Sequence, residues 1–287
     1  MFAYYLLKVL SWVCCRLPRG CCEWMGRMLG AALWPLVPKK RKDLAREQVR
    51  KCLGVDEKEA ERIARASSVR FGPMLFEVLR FPVIRRHIGE YVRVEGLEKL
   101  QKAMKEGKGG IIATGHCGNW ELMGGAFAQY GIPLVGVAMK QKDAGADKFI
   151  MEYRTLIGMH ITYKTGVREM FKMMDEGWFI GLIMDQDTNK RDGIILDFFG
   201  QPTNCVPGAA SMSRFRGAPI FPCFMHRNLD CTHTLIIGDP VYTEKTKDKR
   251  EDIRRTTQLL THDIEAHIRR YPEEWFWLHD RWKSMRP

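Results

Sequence analysis

The sequence predicts an α/β protein with a mixed, largely buried central sheet flanked by helices, and an N-terminal helical element that associates with a membrane. Three observations predict it. Beyond about residue 90, short apolar runs alternate with segments of helical periodicity, punctuated by Gly and Pro. The apolar runs are continuous, as in strands covered on both faces. The first 40 residues differ from the rest, being two apolar segments closed by Lys39-Lys40-Arg41-Lys42. The composition shift divides the chain into residues 1–40, membrane anchor or interfacial helices, and residues 41–287, the α/β domain.

The 287 residues suffice for a sizeable core. With 45% hydrophobic and 28% charged residues, a disordered chain, a collagen and a multi-span transporter are excluded. Nine Cys, an odd number without zinc-type spacing, argue for reduced thiols facing a cytosol rather than a disulfide framework or zinc site. A net charge of +12 points to an anionic partner: nucleic acid, an acidic carrier protein, a phosphorylated substrate or an anionic membrane. A solvated basic surface accounts for the charge as well.

Residues 1–13 are apolar except for Lys8 and Ser11. Residues 21–37 are apolar apart from Glu23, Arg27 and Pro35. Neither segment reaches the roughly 20 clean apolar residues of a span. In the second, Trp24, Met25, Met28, Leu29, Ala32 and Leu36 recur at helical spacing, with Glu23 and Arg27 on another face. An amphipathic helix followed by Lys39 to Lys42, Arg46, Arg50 and Lys51 reads as an element lying on, or inserted in, an anionic inner leaflet. A helix pair packed on the protein's own core is the other reading.

Helices are expected at 56–65, capped by Asp56, and at 67–79, kinked by Pro73. A short strand follows at 91–94 and a helix at 97–105. Strands are expected at 109–114, 133–138, 161–163, 178–184, 219–225 and 232–237. The helices between and after them fall at 121–130, 148–157, 167–175, 207–215 and 249–270.

The sharpest motif is Gly115-His116-Cys117-Gly118-Asn119-Trp120-Glu121, which leaves a buried strand and opens a helix. Active sites of open α/β sheets gather at such strand ends. His116 can swing into a cleft, and Glu121, in the first helical turn, can reach back to its ring. Such a pair suits general-base activation of a hydroxyl, the carboxylate fixing the tautomer. No Ser stands in the loop and no GxSxG elsewhere, so a Ser hydrolase is not supported. Cys117 is a poor nucleophile candidate because adjacent side chains seldom face each other. The spacing is also not that of a zincin pair. A hydrogen-bonded structural histidine remains an alternative for this motif alone.

This motif resembles that of the lipid A biosynthesis acyltransferase family. Further blocks follow in order: Phe149-Ile150-Met151-Glu152-Tyr153-Arg154; Asp185-Gln186-Asp187 with Phe198-Phe199-Gly200-Gln201-Pro202-Thr203; 208–214 with Gly217-Ala218-Pro219; and the tail from Pro272 through Trp275, Trp277, His279 and Arg281 to Trp282. The resemblance implies a glycerolipid-acyltransferase-like catalytic domain on the cytoplasmic face of the inner membrane. It moves a fatty acyl chain from acyl carrier protein or a coenzyme A thioester to a hydroxyl of a lipid A precursor or related glycolipid. His116 is then the base and Glu121 its partner. Gln48 and residues 140–147 depart from the family pattern, which bears on the acceptor more than on the chemistry.

Arg154 is expected to bind phosphate or stabilise the oxyanion. Asp185 and Asp187, at a strand exit, are expected to orient Arg154 or sugar hydroxyls. Thr203, Asn204 and Pro207 precede a helix N-terminus and are candidates for phosphate binding, as is Arg214. Thioester-to-ester transfer requires no metal, and none is assigned, nor any cofactor beyond the donor. The Trp275, Trp277 and Trp282 stripe reads as core packing or an interfacial belt, with Arg281 paired inside it. The expected partners are the donor, the glycolipid and anionic lipid; nucleic acid is not among them, and the expected state is a monomer. A lysophospholipid or glycerol-3-phosphate acyltransferase is the alternative within the chemistry. A basic nucleic-acid-binding protein is the alternative outside it, disfavoured because the aromatics sit in apolar runs.

Overall fold

The computed structural model describes residues 1–163 and 165–286. Its strands are β1 (Val92–Glu95), β2 (Gly110–Thr114), β3 (Leu134–Ala138), β4 (His160–Tyr163), β5 (Phe179–Ile183), β6 (Ile194–Phe198), β7 (Gln201–Cys205), β8 (Ile220–Arg227) and β9 (His233–Ile237). Seven of them form one sheet in the order β1-β9-β8-β2-β5-β3-β4. Every neighbouring pair in it is parallel except β8 and β9. Thr114 of β2 lies opposite Ile183 of β5, so the loops leaving these two strands emerge side by side.

The helices are α1 (Phe2–Cys14), α2 (Arg19–Leu33), α3 (Lys39–Leu53), α4 (Glu57–Val69), α5 (Phe71–Leu79), α6 (Phe81–Ile84), α7 (Leu97–Lys105), α8 (Trp120–Gln129), α9 (Ala144–Leu156), α10 (Val167–Asp175), α11 (Gly208–Arg216) and α12 (Lys249–Arg270). Side chains alternate across a strand, so the sheet feeds two cores. Ile112, Phe179, Phe221 and Met225 meet α1, α5, α7, α8 and α9 on one face. Ile111, Ile180, Ile220 and Phe224 meet α4, α10, α11, α12 and the tail tryptophans on the other. Burial on both faces is why these strands read as unbroken apolar runs.

The β6–β7 hairpin is absent from the sequence expectation, since Asp197, Gln201 and Asn204 break its apolar pattern. The basic run is the opening of α3, whose inner face is Ala45, Gln48, Val49 and Cys52. Asp56 caps α4, accepting from Glu59 N at 2.8 Å.

Among the described residues, no helix is long and apolar enough to cross a membrane. α1 and α2 each bury one face. Ser11 donates to Leu79 O at 2.5 Å and accepts from Tyr153 at 2.5 Å, while Cys14 and Cys22 enter the core. The amphipathic face expected of α2 points outward: Trp24 is 64% exposed, and Met25, Met28 and Leu36 are exposed too. The buried stripe is Cys22, Gly26 and Gly30. A Cβ on Gly30 would lie 2.2 Å from Val69 O, and one on Gly26 2.7 Å from Pro73 Cα. Backbone-to-backbone contact therefore selects the small stripe for the interior and leaves the large apolar residues outside.

His226 of β8 stacks on Tyr271 at 3.7 Å, and His267 of α12 on Phe224 at 4.9 Å. Burial pushes both imidazoles down from 6.5 to about 4. Between those values the unfolded chain binds protons that the folded chain refuses, so the stability contributed by these two neutral imidazoles is full above pH 6.5 and is lost as pH falls toward 4. Thermal melting across this window should drop by several degrees, and His267→Phe should flatten the slope; a pH-independent melting temperature would count against it.

Candidate active site

The loop after β2 is shaped by two requirements. Gly118 has φ +58°, and a Cβ there would lie 2.3 Å from Met225 O, so only glycine fits. Its N–H donates to Glu274 O at 3.0 Å. Asn119 then caps α8, its Oδ1 accepting from Leu122 N at 3.1 Å. Between them these contacts hold His116 at the carboxyl edge of the sheet, with its side chain 20% exposed.

The partner of His116 is Asp185. Imidazole Nδ1 lies 2.8 Å from Asp185 Oδ1, and the His116 backbone N–H donates to Oδ2 at 3.0 Å. The Trp275 indole N–H donates to the same Oδ2 at 2.6 Å. Burial alone raises a carboxyl pKa, but the neighbouring imidazole and these hydrogen bonds outweigh it and hold Asp185 below its ordinary range. An ionised Asp185 only accepts, so Nδ1 carries a proton, and in the neutral ring Nε2 is the acceptor. Trp120 packs edge-on against the imidazole at 4.9 Å.

Glu121 does not take the place expected of it. Its carboxylate is engaged by Arg154, Nε to Oε2 at 2.7 Å and Nη2 to Oε1 at 2.6 Å. Trp120 Nε1–H adds a bond to Oε1 at 3.1 Å. The physical reason is direction: Glu121, in the first turn of α8, projects toward α9, whereas the strand exit at Asp185 faces the ring directly. Burial pulls the Arg154 pKa down, the Glu121 hydrogen bond and charge more than offset this, and the result lies above the ordinary value. Arg154 thus commits Nε and Nη2 to a bidentate, part-buried pair with Glu121.

The bacterial lipid A biosynthesis acyltransferase model matches residues 1–284. The chain belongs to that family. It is an acyltransferase. It is 29% identical to the phosphatidylinositol mannoside acyltransferase of Mycolicibacterium smegmatis over 230 residues, covering 77% of this chain and 72% of the relative. It is 22% identical to the lipid A biosynthesis palmitoleoyltransferase of Escherichia coli over 276 residues, covering 95% and 88%. Against the solved 1-acyl-sn-glycerophosphate acyltransferase of Thermotoga maritima the TM-score is 0.40 at 12% identity, covering 90% of this chain and 99% of that one.

The remaining residues named from the sequence lie elsewhere in this acyltransferase. Asp187 orients neither Arg154 nor an open hydroxyl site; it holds the tail, accepting from Ser284 N at 2.9 Å and Ser284 Oγ at 2.6 Å. The Asp187 N–H donates to His279 Nε2 at 3.1 Å. Thr203 lies in β7, fully buried, its hydroxyl donating to Arg281 O at 3.3 Å, so it offers nothing to a phosphate. Arg214 pairs with buried Asp252 at 2.8 Å and donates to Thr246 O at 2.7 Å. Trp275 and Trp277 are core, and buried Arg281 donates to Asn204 O at 2.7 Å. A groove of about 620 Å³ runs between α3 and the tail, lined by Lys39, Lys40, Lys51, Trp282 and Arg286 among others, and His116 is not in its wall.

Sequence reading missed the bonds of Asp185 and Trp275 to this site. The available signal was that the strand ending in Asp185 is as apolar as the one ending at His116, which marks two central neighbours. Since Glu121 and Arg154 act as a unit, Glu121→Ala, Arg154→Ala and the double variant should lose similar amounts of activity. Additive losses in that double-mutant cycle would show that they act separately.

Proposed function

We propose that this acyltransferase moves a fatty acyl chain from a thioester donor, acyl carrier protein or coenzyme A, to a hydroxyl of a lipid A precursor or related glycolipid, with His116 as general base. The observation that carries this is the His116–Asp185 contact at a partly open strand exit. Nε2 takes the hydroxyl proton as the acceptor oxygen attacks the thioester carbonyl, and the resulting imidazolium is held by Asp185. The tetrahedral intermediate collapses by breaking the C–S bond, and the leaving thiolate regains the proton from Nε2–H. No proton is gained or lost overall. In this reading the Glu121–Arg154 pair builds the adjoining wall and sets the polarity met by the acceptor.

In this reading the reaction takes place at the cytoplasmic face of the inner membrane. Supporting this, α1 and α2 expose Phe2, Val9, Trp12, Trp24 and Met28, and Lys39 to Lys42 follow immediately. Large apolar side chains beside a cationic run suit insertion into the headgroup boundary of an anionic bilayer.

Purified protein given labelled acyl-carrier-protein or acyl-coenzyme A thioester should acylate a lipid A precursor or a phosphatidylinositol mannoside, separated by thin-layer chromatography. His116→Ala should fold normally by circular dichroism yet lose about 10²- to 10⁴-fold in rate. Asp185→Asn should fall in the same range, since it removes the charge that supports the imidazolium. Wild-type turnover in His116→Ala rules out the base assignment. Replacing Trp24 and Met28 with Ser should weaken co-sedimentation with anionic vesicles; unchanged binding argues against α2 as the contact.

A further inference from the structure

Arg70 is the single residue between α4 and α5, and it belongs to none of the motifs above. Its side chain crosses to the His116 loop. Nη1–H donates to Gly118 O at 2.7 Å and Nη2–H donates to His116 O at 3.0 Å. The guanidinium also lies 4.6 Å from the Phe71 ring centre and 5.8 Å from that of Trp120, whose edge meets the imidazole.

Residues 115–118 have neither helix nor strand to fix them. The N–H groups of His116 and Gly118 are held by Asp185 and Glu274, and that of Cys117 by a bond within the loop to Gly115 O at 2.7 Å. The carbonyls of His116 and Gly118 both point at one guanidinium. A planar fork with donors in fixed directions matches two carbonyls at once with less freedom to lose than a flexible ammonium. Among the described residues no carboxylate forms an ion pair with Arg70, and burial draws its pKa down. A part-buried cation held by two carbonyls and two aromatic rings, with no carboxylate among the described residues in direct contact, is costly where shape alone is needed, which points to a role beyond packing.

The far side of Arg70 is equally constrained. The backbone of Val69 and Pro73, flanking it, is where Gly30 and Gly26 of α2 press closest. Arg70 therefore stands on an elbow clamped by α2 and reaches from it to the loop.

We propose that Arg70 is a positioning residue for His116: it grips the two loop carbonyls so that the imidazole meets Asp185 through Nδ1 and presents Nε2 to the acceptor hydroxyl. This rests on the reading of His116 as the base. Misplacing a reacting group by about 1 Å can cost about 10²-fold in rate, so the effect belongs in kcat.

The experiment compares Arg70→Met, Arg70→Lys and His116→Ala in steady-state acyl transfer, with melting curves for each. Arg70→Met is expected to lose about 10- to 100-fold in kcat with the KM of donor and acceptor little changed. Arg70→Lys, which keeps the charge and hydrogen-bond donors but not the planar fork, should recover part of that loss. If His116→Ala is inactive while Arg70→Met keeps wild-type kcat, or loses only in KM, the positioning role is overturned and the base assignment stands. If His116→Ala stays active, the base assignment fails and takes the positioning role with it. Should Arg70→Met not fold, Arg70→Lys alone decides: reduced kcat at a native melting temperature supports the role, and unchanged kcat removes it.

Discussion

One buried carboxylate organises the site. Asp185 receives the His116 ring, the His116 backbone and the Trp275 indole, three donors from two distant stretches of chain. Removing a carboxylate from water is expensive unless donors replace the lost hydration, and these three do so. In return the carboxylate fixes the imidazole tautomer, leaving Nε2 as the basic atom. It also ties the C-terminal tail to the β2 loop through the Trp275 indole, so the PEEWFW segment is part of the site's architecture.

The same loop depends on backbone contacts rather than side-chain chemistry. Gly118 rests on β8 and Asn119 caps α8. Asn119 Nδ2–H donates to buried Glu77 at 2.6 Å, which also accepts from Arg227 at 3.0 Å and contacts His233 at 2.9 Å. Burial raises the Glu77 pKa, but these partners outweigh it and lower it to about 2. Arg227 also pairs with Glu23 of α2. A continuous set of buried polar contacts thus joins the outward-facing N-terminal helix to the cap beside His116. The glycine stripe of α2 reaches the same place by another route, through the elbow at Arg70.

Much of the fold was legible because its signals are local. Continuous apolar runs marked the buried strands, and Asp56 stands at the N-cap expected of it, whereas α9 begins at Ala144 behind an Asp143 cap, four residues before the expected start. The β6–β7 hairpin was not legible, since Gln201-Pro202-Thr203-Asn204-Cys205 has no strand pattern and is held by Arg281 and α12. The outward apolar face of α2 was expected of an element lying on a leaflet, but its inward glycine stripe was not legible. A helical wheel shows an apolar face but cannot say that two glycines, by permitting close approach, will take the interior.

The sequence by itself determined the alternation of strands and helices, the loop that carries His116, and the family to which its ordered motifs point. Those features arise from neighbours along the chain, where periodicity, caps and turns operate. Tertiary structure alone decided which carboxylate serves the imidazole, that Glu121 belongs to Arg154, and that Thr203, Arg214 and Asp187 brace the scaffold. Each of these is a choice among groups tens of residues apart. Strand register, side-chain direction and burial settle such choices, and none of the three is written in local spacing.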